Sequence, residues 1–203
     1  MISRTLTFLA LAIFSAALAS AQTATVFKMT GTQTATVQAN ASAPEVSLSV
    51  GQEVPVGSTV TVGSGTTLFL RTFQGAITSA TEGTVFVVET VEVTADNKEK
   101  TIIELKSGDL VANLDPAKRG IHDYGVRTPK GVAAARGTNY TVTVDGVDVM
   151  VTVVGGEVSF NIPELPQPVT LTPGTASTGG AAPKLWLRQS PPALQLPPRL
   201  HAL

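Results

Sequence analysis

Few side chains in this sequence can carry covalent or acid–base chemistry. It holds no cysteine and two histidines, His122 and His201, so disulfides, thiolate metal sites and thiol nucleophiles are excluded and little is left for proton transfer or metal binding. Asp123 follows His122 directly. Neighbouring strand residues point to opposite faces, so the two are poorly placed as an acid–base pair, and a surface turn is their expected setting. Glu89, Glu92 and Glu99 flank Asp96-Asn97-Lys98, which reads as a solvated hairpin tip because the ligand order of a calcium loop is missing. Threonine, serine and carboxylates are plentiful, yet none stands in a nucleophile-elbow or metal-spacing context. The expectation is a chain with no catalytic residue, no cofactor and no metal site.

The most distinctive donor lies in Arg127-Thr128-Pro129-Lys130-Gly131-Val132-Ala133-Ala134-Ala135-Arg136-Gly137-Thr138. Pro129 fixes φ and holds Thr128 extended, Gly131 relieves the turn, and Ala133 to Ala135 allow close approach to another backbone. Arg136 carries five N–H donors in a rigid fork. On so apolar a background it is expected to be buried, pinning a crossover through loop carbonyls or one carboxylate. The alternative is a solvent-facing arginine that reads a ligand or partner. Gly137 supplies the freedom that turns the chain into a strand starting at Thr138.

Those residues need a scaffold, and residues 23–172 supply one in strands. Short stretches rich in Val, Thr, Ile and Phe are closed by Gly, Asn, Asp or Pro, as a pleated, half-buried surface with turns requires. In Val147-Asp148-Val149-Met150-Val151-Thr152-Val153 the valines share one face. Asp145-Gly146 predicts a two-residue type I′ hairpin before it. No sustained 3.6-residue period appears, so the class is all-β, with a single helical turn near Val132 to Ala135. Many short strands arrange as a two-sheet sandwich or a short solenoid. An echo, Ser107-Gly108-Asp109-Leu110-Val111 against Gly155-Gly156-Glu157-Val158-Ser159, is consistent with tight turns that enter a new rung.

The ends differ from this body. Arg4, an apolar run from Leu6 to Leu18 and Ala19-Ser20-Ala21 follow the order of a secretory signal peptide, expected to be cleaved between Ala21 and Gln22. The run is shorter than the roughly 20 residues that span a bilayer, so no transmembrane span is expected after cleavage. This gives a plan of leader 1–21, β domain 22–180 and tail 181–203, and a periplasmic or secreted location. The tail holds five of the 13 prolines and no acidic residue, which argues for disorder. Four of the 14 basic residues lie outside residues 22–180 and all 15 acidic ones lie within, so the body carries a formal charge of −5. Without a basic patch, nucleic acid is not an expected partner.

The Thr-Pro, the small-residue stretch and the Arg-Gly-Thr that opens a strand resemble the signature of the FecR domain. Leu48-Ser49-Val50-Gly51, Val56-Gly57-Ser58-Thr59-Val60 and Glu104-Leu105-Lys106-Ser107-Gly108-Asp109-Leu110 resemble its upstream pattern, and Val153-Val154-Gly155-Gly156-Glu157-Val158 and Val169-Thr170-Leu171-Thr172-Pro173-Gly174 its closing strands. On that resemblance Thr128, Pro129, Gly131, Arg136, Gly137 and Thr138 are the family signature, structural in its main role. The family's named members lie across the inner membrane, control a sigma factor in the cytoplasm and receive a signal in the periplasm from an outer-membrane receptor. No regulatory helices precede the apolar segment here, so the resemblance implies only the sensing or protein-binding half. The expected function is a non-catalytic module for protein interaction or envelope signal relay, its partner another envelope protein that pairs with an exposed strand edge. The alternative is a structural or carbohydrate-binding envelope module.

Overall fold

A computed structural model describes residues 23–178; the expected leader and the whole of the expected tail lie outside them. In chain order the strands are β1 (Ala24–Gly31), β2 (Ala35–Gln38), β3 (Val46–Ser47), β4 (Glu53–Val54), β5 (Thr59–Val62), β6 (Thr66–Phe73), β7 (Ala76–Ala80) and β8 (Val85–Val93). They continue as β9 (Glu99–Leu114), β10 (His122–Thr128), β11 (Gly131–Ala135), β12 (Asn139–Asp145), β13 (Asp148–Gly155), β14 (Val158–Asn161), β15 (Val169–Leu171) and β16 (Ala176–Thr178).

β9 organises the fold because its two halves belong to different sheets. Residues 108–114 pair with β7 and β12, and residues 99–107 pair with β8 and β10. The first sheet runs β4-β1-β6-β7-β9-β12-β13-β16 and the second β3-β2-β5-β8-β9-β10-β11-β14-β15. Every pairing is antiparallel except β9 with β10. Side chains from the two sheets meet in one apolar core. The Tyr124 and Thr78 hydroxyls hydrogen-bond across it, and the Tyr140 hydroxyl donates to the Ala133 carbonyl at 3.3 Å. This is the all-β architecture the sequence predicts, with two packed sheets joined along β9 and not closed into a barrel.

Strict alternation feeds that core. Val149, Val151 and Val153 point inward while Asp148, Met150 and Thr152 do not, and burying each valine is worth about 1.5–3 kcal/mol. Phe86 and Phe160 are fully buried, where truncation to alanine costs about 3–5 kcal/mol.

Three local expectations are corrected. The β12–β13 loop is Gly146-Val147, one residue later than expected, because Asp145 still pairs with Asp148. Positive φ there occurs at Gly146 alone, the Gly-X pattern of a II′ turn and not I′. Val132 to Ala135 lie in β11 and not in a helical turn, since Ala133 and Ala135 face the core with a period of two. The helical turn is a 3-10 turn at Pro116–Lys118, capped by Asp115, whose side chain accepts from the Ala117 N–H at 2.9 Å.

The echo marks two crossings between sheets. At Gly108 (φ 90°) β9 leaves the second sheet, and at Gly156 (φ 86°) the chain re-enters it from β13. Each glycine packs against a fully buried threonine on the adjoining crossover, Thr84 and Thr138 respectively. Thr84 Oγ1 donates to the Asp109 carbonyl and Thr138 Oγ1 to the Glu157 carbonyl, both at 3.1 Å. The same corner chemistry is used twice.

Candidate functional site

The signature occupies one hairpin and one corner of the second sheet. Thr128 pairs with Gly131 across Pro129-Lys130, and its buried hydroxyl donates to the Gly131 carbonyl at 2.9 Å. At Gly131 a Cβ would stand 2.2 Å from the Asn161 carbonyl oxygen, so only glycine lets β11 approach the end of β14 there. The chain then leaves the sheet through Arg136 and Gly137. Gly137 has φ 66°, and a Cβ on it would lie 3.0 Å from Pro116 Cα, which ties the corner to the 3-10 turn. The Leu114 N–H donates to the Thr138 carbonyl at 3.0 Å. Three chain passages are fastened at this point.

Arg136 is not part of that fastening. Its side chain is 65% exposed, and its nearest carboxylate, Asp123, is 3.9 Å away. This corrects the expectation of a buried staple. β11 alternates, Ala135 faces inward, and Arg136 therefore emerges outward at the rim. The corner is held by backbone, by Gly137 and by Thr138, which leaves the guanidinium to solvent.

Outside the corner lies an open groove in two connected parts. One, of about 540 Å³, has Arg119, Arg136, Asp123 and Glu157 around a floor of Ala134 and Ser159. The other, of about 520 Å³, shares Arg119 and is lined by Asn113, Asn139, Gly155 and Gly156. Register explains the floor, since Gly125, Ala134 and Ser159 stand side by side on β10, β11 and β14. Two guanidinium groups facing two carboxylates and two amides form a surface for recognition by charge-assisted hydrogen bonds. Among the described residues it contains no nucleophile paired with a base.

His122 and Asp123 are separated as strand geometry requires, but His122 is not in a surface turn. Asp123 faces the groove, whereas His122 is 1% exposed beneath the 115–121 segment. Its Nδ1 lies 3.0 Å from Glu99 Oε2, outside hydrogen-bond geometry, and neither ring nitrogen has a hydrogen-bond partner. Burial depresses the imidazole below its usual range against an upward pull from Glu99, and Lys118 depresses it further. Lys118 Nζ also donates to the Gln74 carbonyl at 2.7 Å. No group of three His, Asp or Glu residues suited to a metal ion occurs among the described residues.

Sequence reasoning missed Arg119, Glu157, Asn113 and Asn139 as groove residues. Glu157 sits in the echo, and the Asp-Pro pair before Arg119 is a capping signal that would have placed a turn there. Nothing in the sequence places Asn113 opposite Asn139, because that pairing is long-range.

A family model described as FecR protein matches residues 53–159, just over half of the chain, from β4 into β14 and including the whole signature. Two crystal structures of a candidate anti-sigma factor from Parabacteroides distasonis ATCC 8503, at 1.65 and 2.50 Å resolution, are similar at 20% identity and a TM-score of 0.49. The similarity covers 59% of this chain and 53% of theirs, so it spans about half the length of those structures. No curated protein matches.

Proposed function

The chain belongs to the FecR protein family, and on that premise we propose that it is a non-catalytic periplasmic or secreted module that relays an envelope signal by binding another protein. The observation that carries this reading is the position of Arg136. The signature places a guanidinium 65% exposed at the rim of a groove, where the fold does not need it and a partner can use it. Arginine at a rim is suited to bidentate recognition of carboxylates.

The mode of binding differs from the edge pairing that the sequence suggests. Among the described residues the sheets end on β3, β4, β15 and β16, strands of two or three residues, and short edge strands are how sheets avoid adding partners. A face or groove contact is therefore favoured. The carbohydrate alternative needs an aromatic platform, and both tyrosines of the chain are in the core. No described helix is long and apolar enough to cross a membrane.

The test is site-specific photo-crosslinking of the full exported chain in its native envelope. A crosslinker at Ser159, in the groove, should capture one envelope protein, and a crosslinker at Thr61, on the far side of the second sheet, should not. Arg136→Glu should abolish the Ser159 capture. Equal capture at both positions, capture of glycan alone, or capture indifferent to Arg136→Glu would overturn the reading.

A further inference from the structure

The two outer faces of the sandwich differ in charge. Among the described residues every ion pair belongs to the second sheet or to the turn beneath it: Lys100–Glu92, Lys106–Glu104, Arg127–Glu89, Arg136–Asp123, and the contacts of Glu99 with Lys118 and His122. The outer face of the first sheet holds none. Across it runs an in-register row without a charge, Phe69, Ser79, Val111, Thr141, Thr152 and Ala176, each only partly buried. Depletion of charge at the centre of a face, with apolar side chains half exposed, distinguishes an interface core from ordinary surface.

The margins of this face carry opposite charges. On β1 and β6, Lys28 and Arg71 lie over the rings of Phe69 and Phe27 at 5.7 and 5.3 Å and have no carboxylate partner among the described residues. The one carboxylate nearby, Glu53, is on the edge strand beyond Thr25. At the other margin Asp145 and Asp148 are directly opposed in the β12–β13 ladder, an arrangement that like-charge repulsion disfavours. Nothing in the fold offsets it, since neither carboxylate has an ion-pair partner among the described residues. A cation brought from outside would.

We propose that this face is where two copies of the chain pack, with Lys28 and Arg71 of one copy against Asp145 and Asp148 of the other. A two-fold axis makes such a contact self-complementary, since each copy presents both margins. The uncharged row then lies at its centre, and two aligned sheets meet as in a sandwich. The part of the groove around Arg136, Ala134 and Ser159 lies on the second sheet, away from this face, whereas Asn113, Asn139 and Gly155 of its other part stand in register with Arg71 and border the proposed contact.

The test is sedimentation of the full exported chain over a concentration series, at low and at high salt. A dimer that weakens with salt is expected. Arg71→Glu and Asp148→Lys should each weaken it about tenfold or more, because a reversed charge meets its like across the interface. The double variant should recover most of the affinity, since it restores complementarity with the signs exchanged. Arg71 and Asp148 are both exposed, so each variant should keep the wild-type far-ultraviolet spectrum, and at concentrations where the chain is monomeric Arg71→Glu should keep the wild-type melt while Asp148→Lys, freed of the repulsion from Asp145, should melt no lower. A monomer at every concentration would overturn the proposal and leave the face to a different protein. A dimer indifferent to both reversals, or a double variant weaker than either single one, would overturn it as well.

Discussion

A Cβ placed on Gly156 would stand 2.8 Å from Thr138 Oγ1, the hydroxyl that donates to the carbonyl of the next residue, Glu157. The matching corner is tighter, because a Cβ on Gly108 would stand 2.6 Å from Thr84 Cα, which is backbone and cannot rotate away. Gly146 also has positive φ, but nothing lies within 4 Å of its missing Cβ. Left-handed backbone alone costs a non-glycine residue about 1–2 kcal/mol. Alanine at Gly146 should therefore show that cost, Gly156→Ala more, and Gly108→Ala the most. Urea unfolding of the three variants gives the order directly. Equal losses would mean that φ matters and the packing does not.

Arg136→Ala should leave stability almost unchanged, within about 0.5 kcal/mol, as expected for an exposed side chain outside any network. Gly137→Ala, one residue on, should cost at least 1–2 kcal/mol through its left-handed φ and the contact with Pro116. In a chain of this size 1 kcal/mol moves the melting temperature by about 2–4 °C, so the two variants separate clearly in a thermal melt. A large loss in Arg136→Ala would make it the staple that its exposure argues against.

Why the sequence predicts one of these residues and mistakes the other follows from range. Alternation is local, so the strands of the body, the inward valines of β13 and the all-β class can be read from a window of a few residues. Apolar neighbours suggest an inside position for Arg136, but Ala133 and Ala135 are the inward positions of the same strand and point away from it. The turn residues of the corner could be identified by type, but the partner of Gly131, Asn161, and that of Gly137, Pro116, come from other passages of the chain. Arg119, Asn113 and Asn139 form the groove only through β9–β12 pairing and the crossing at Gly108. The burial of His122 is illegible in the sequence for the same reason, since the 115–121 segment that covers it packs there through Asp115 and Gly75, whose N–H and carbonyl are joined at 2.8 Å.

Stability should depend on the protonation of His122. Its imidazole is depressed below the ordinary value in the folded chain, burial being the largest cause, so the unfolded chain takes up the proton first as pH falls. Below about pH 6.5 protons then favour unfolding, and stability rises with pH up to that value and levels off above it. The groups facing the ring are Glu99 on β9 and Lys118 and Asp115 on the turn. Urea midpoints at several pH values should show the rise in the wild type and a flatter dependence in His122→Gln. Identical pH profiles in the two proteins would show that the ring does not titrate differently on unfolding.

Both tyrosines should stay protonated until the fold is lost. Tyr124 and Tyr140 are 1% and 0% exposed, and burial drives both phenols above their ordinary range. A phenol in water ionises near pH 10. In an alkaline titration the phenolate absorbance should therefore remain flat through that region and then appear in one step that coincides with loss of the strand signal in circular dichroism. Tyr140→Phe should leave that step in place at half amplitude, since one of two phenols remains. It should cost about 1 kcal/mol for the lost hydrogen bond to the Ala133 carbonyl. A gradual rise in absorbance near pH 10 with the fold intact would mean that water reaches the core between the two sheets, and would contradict the packing across β10 and β12.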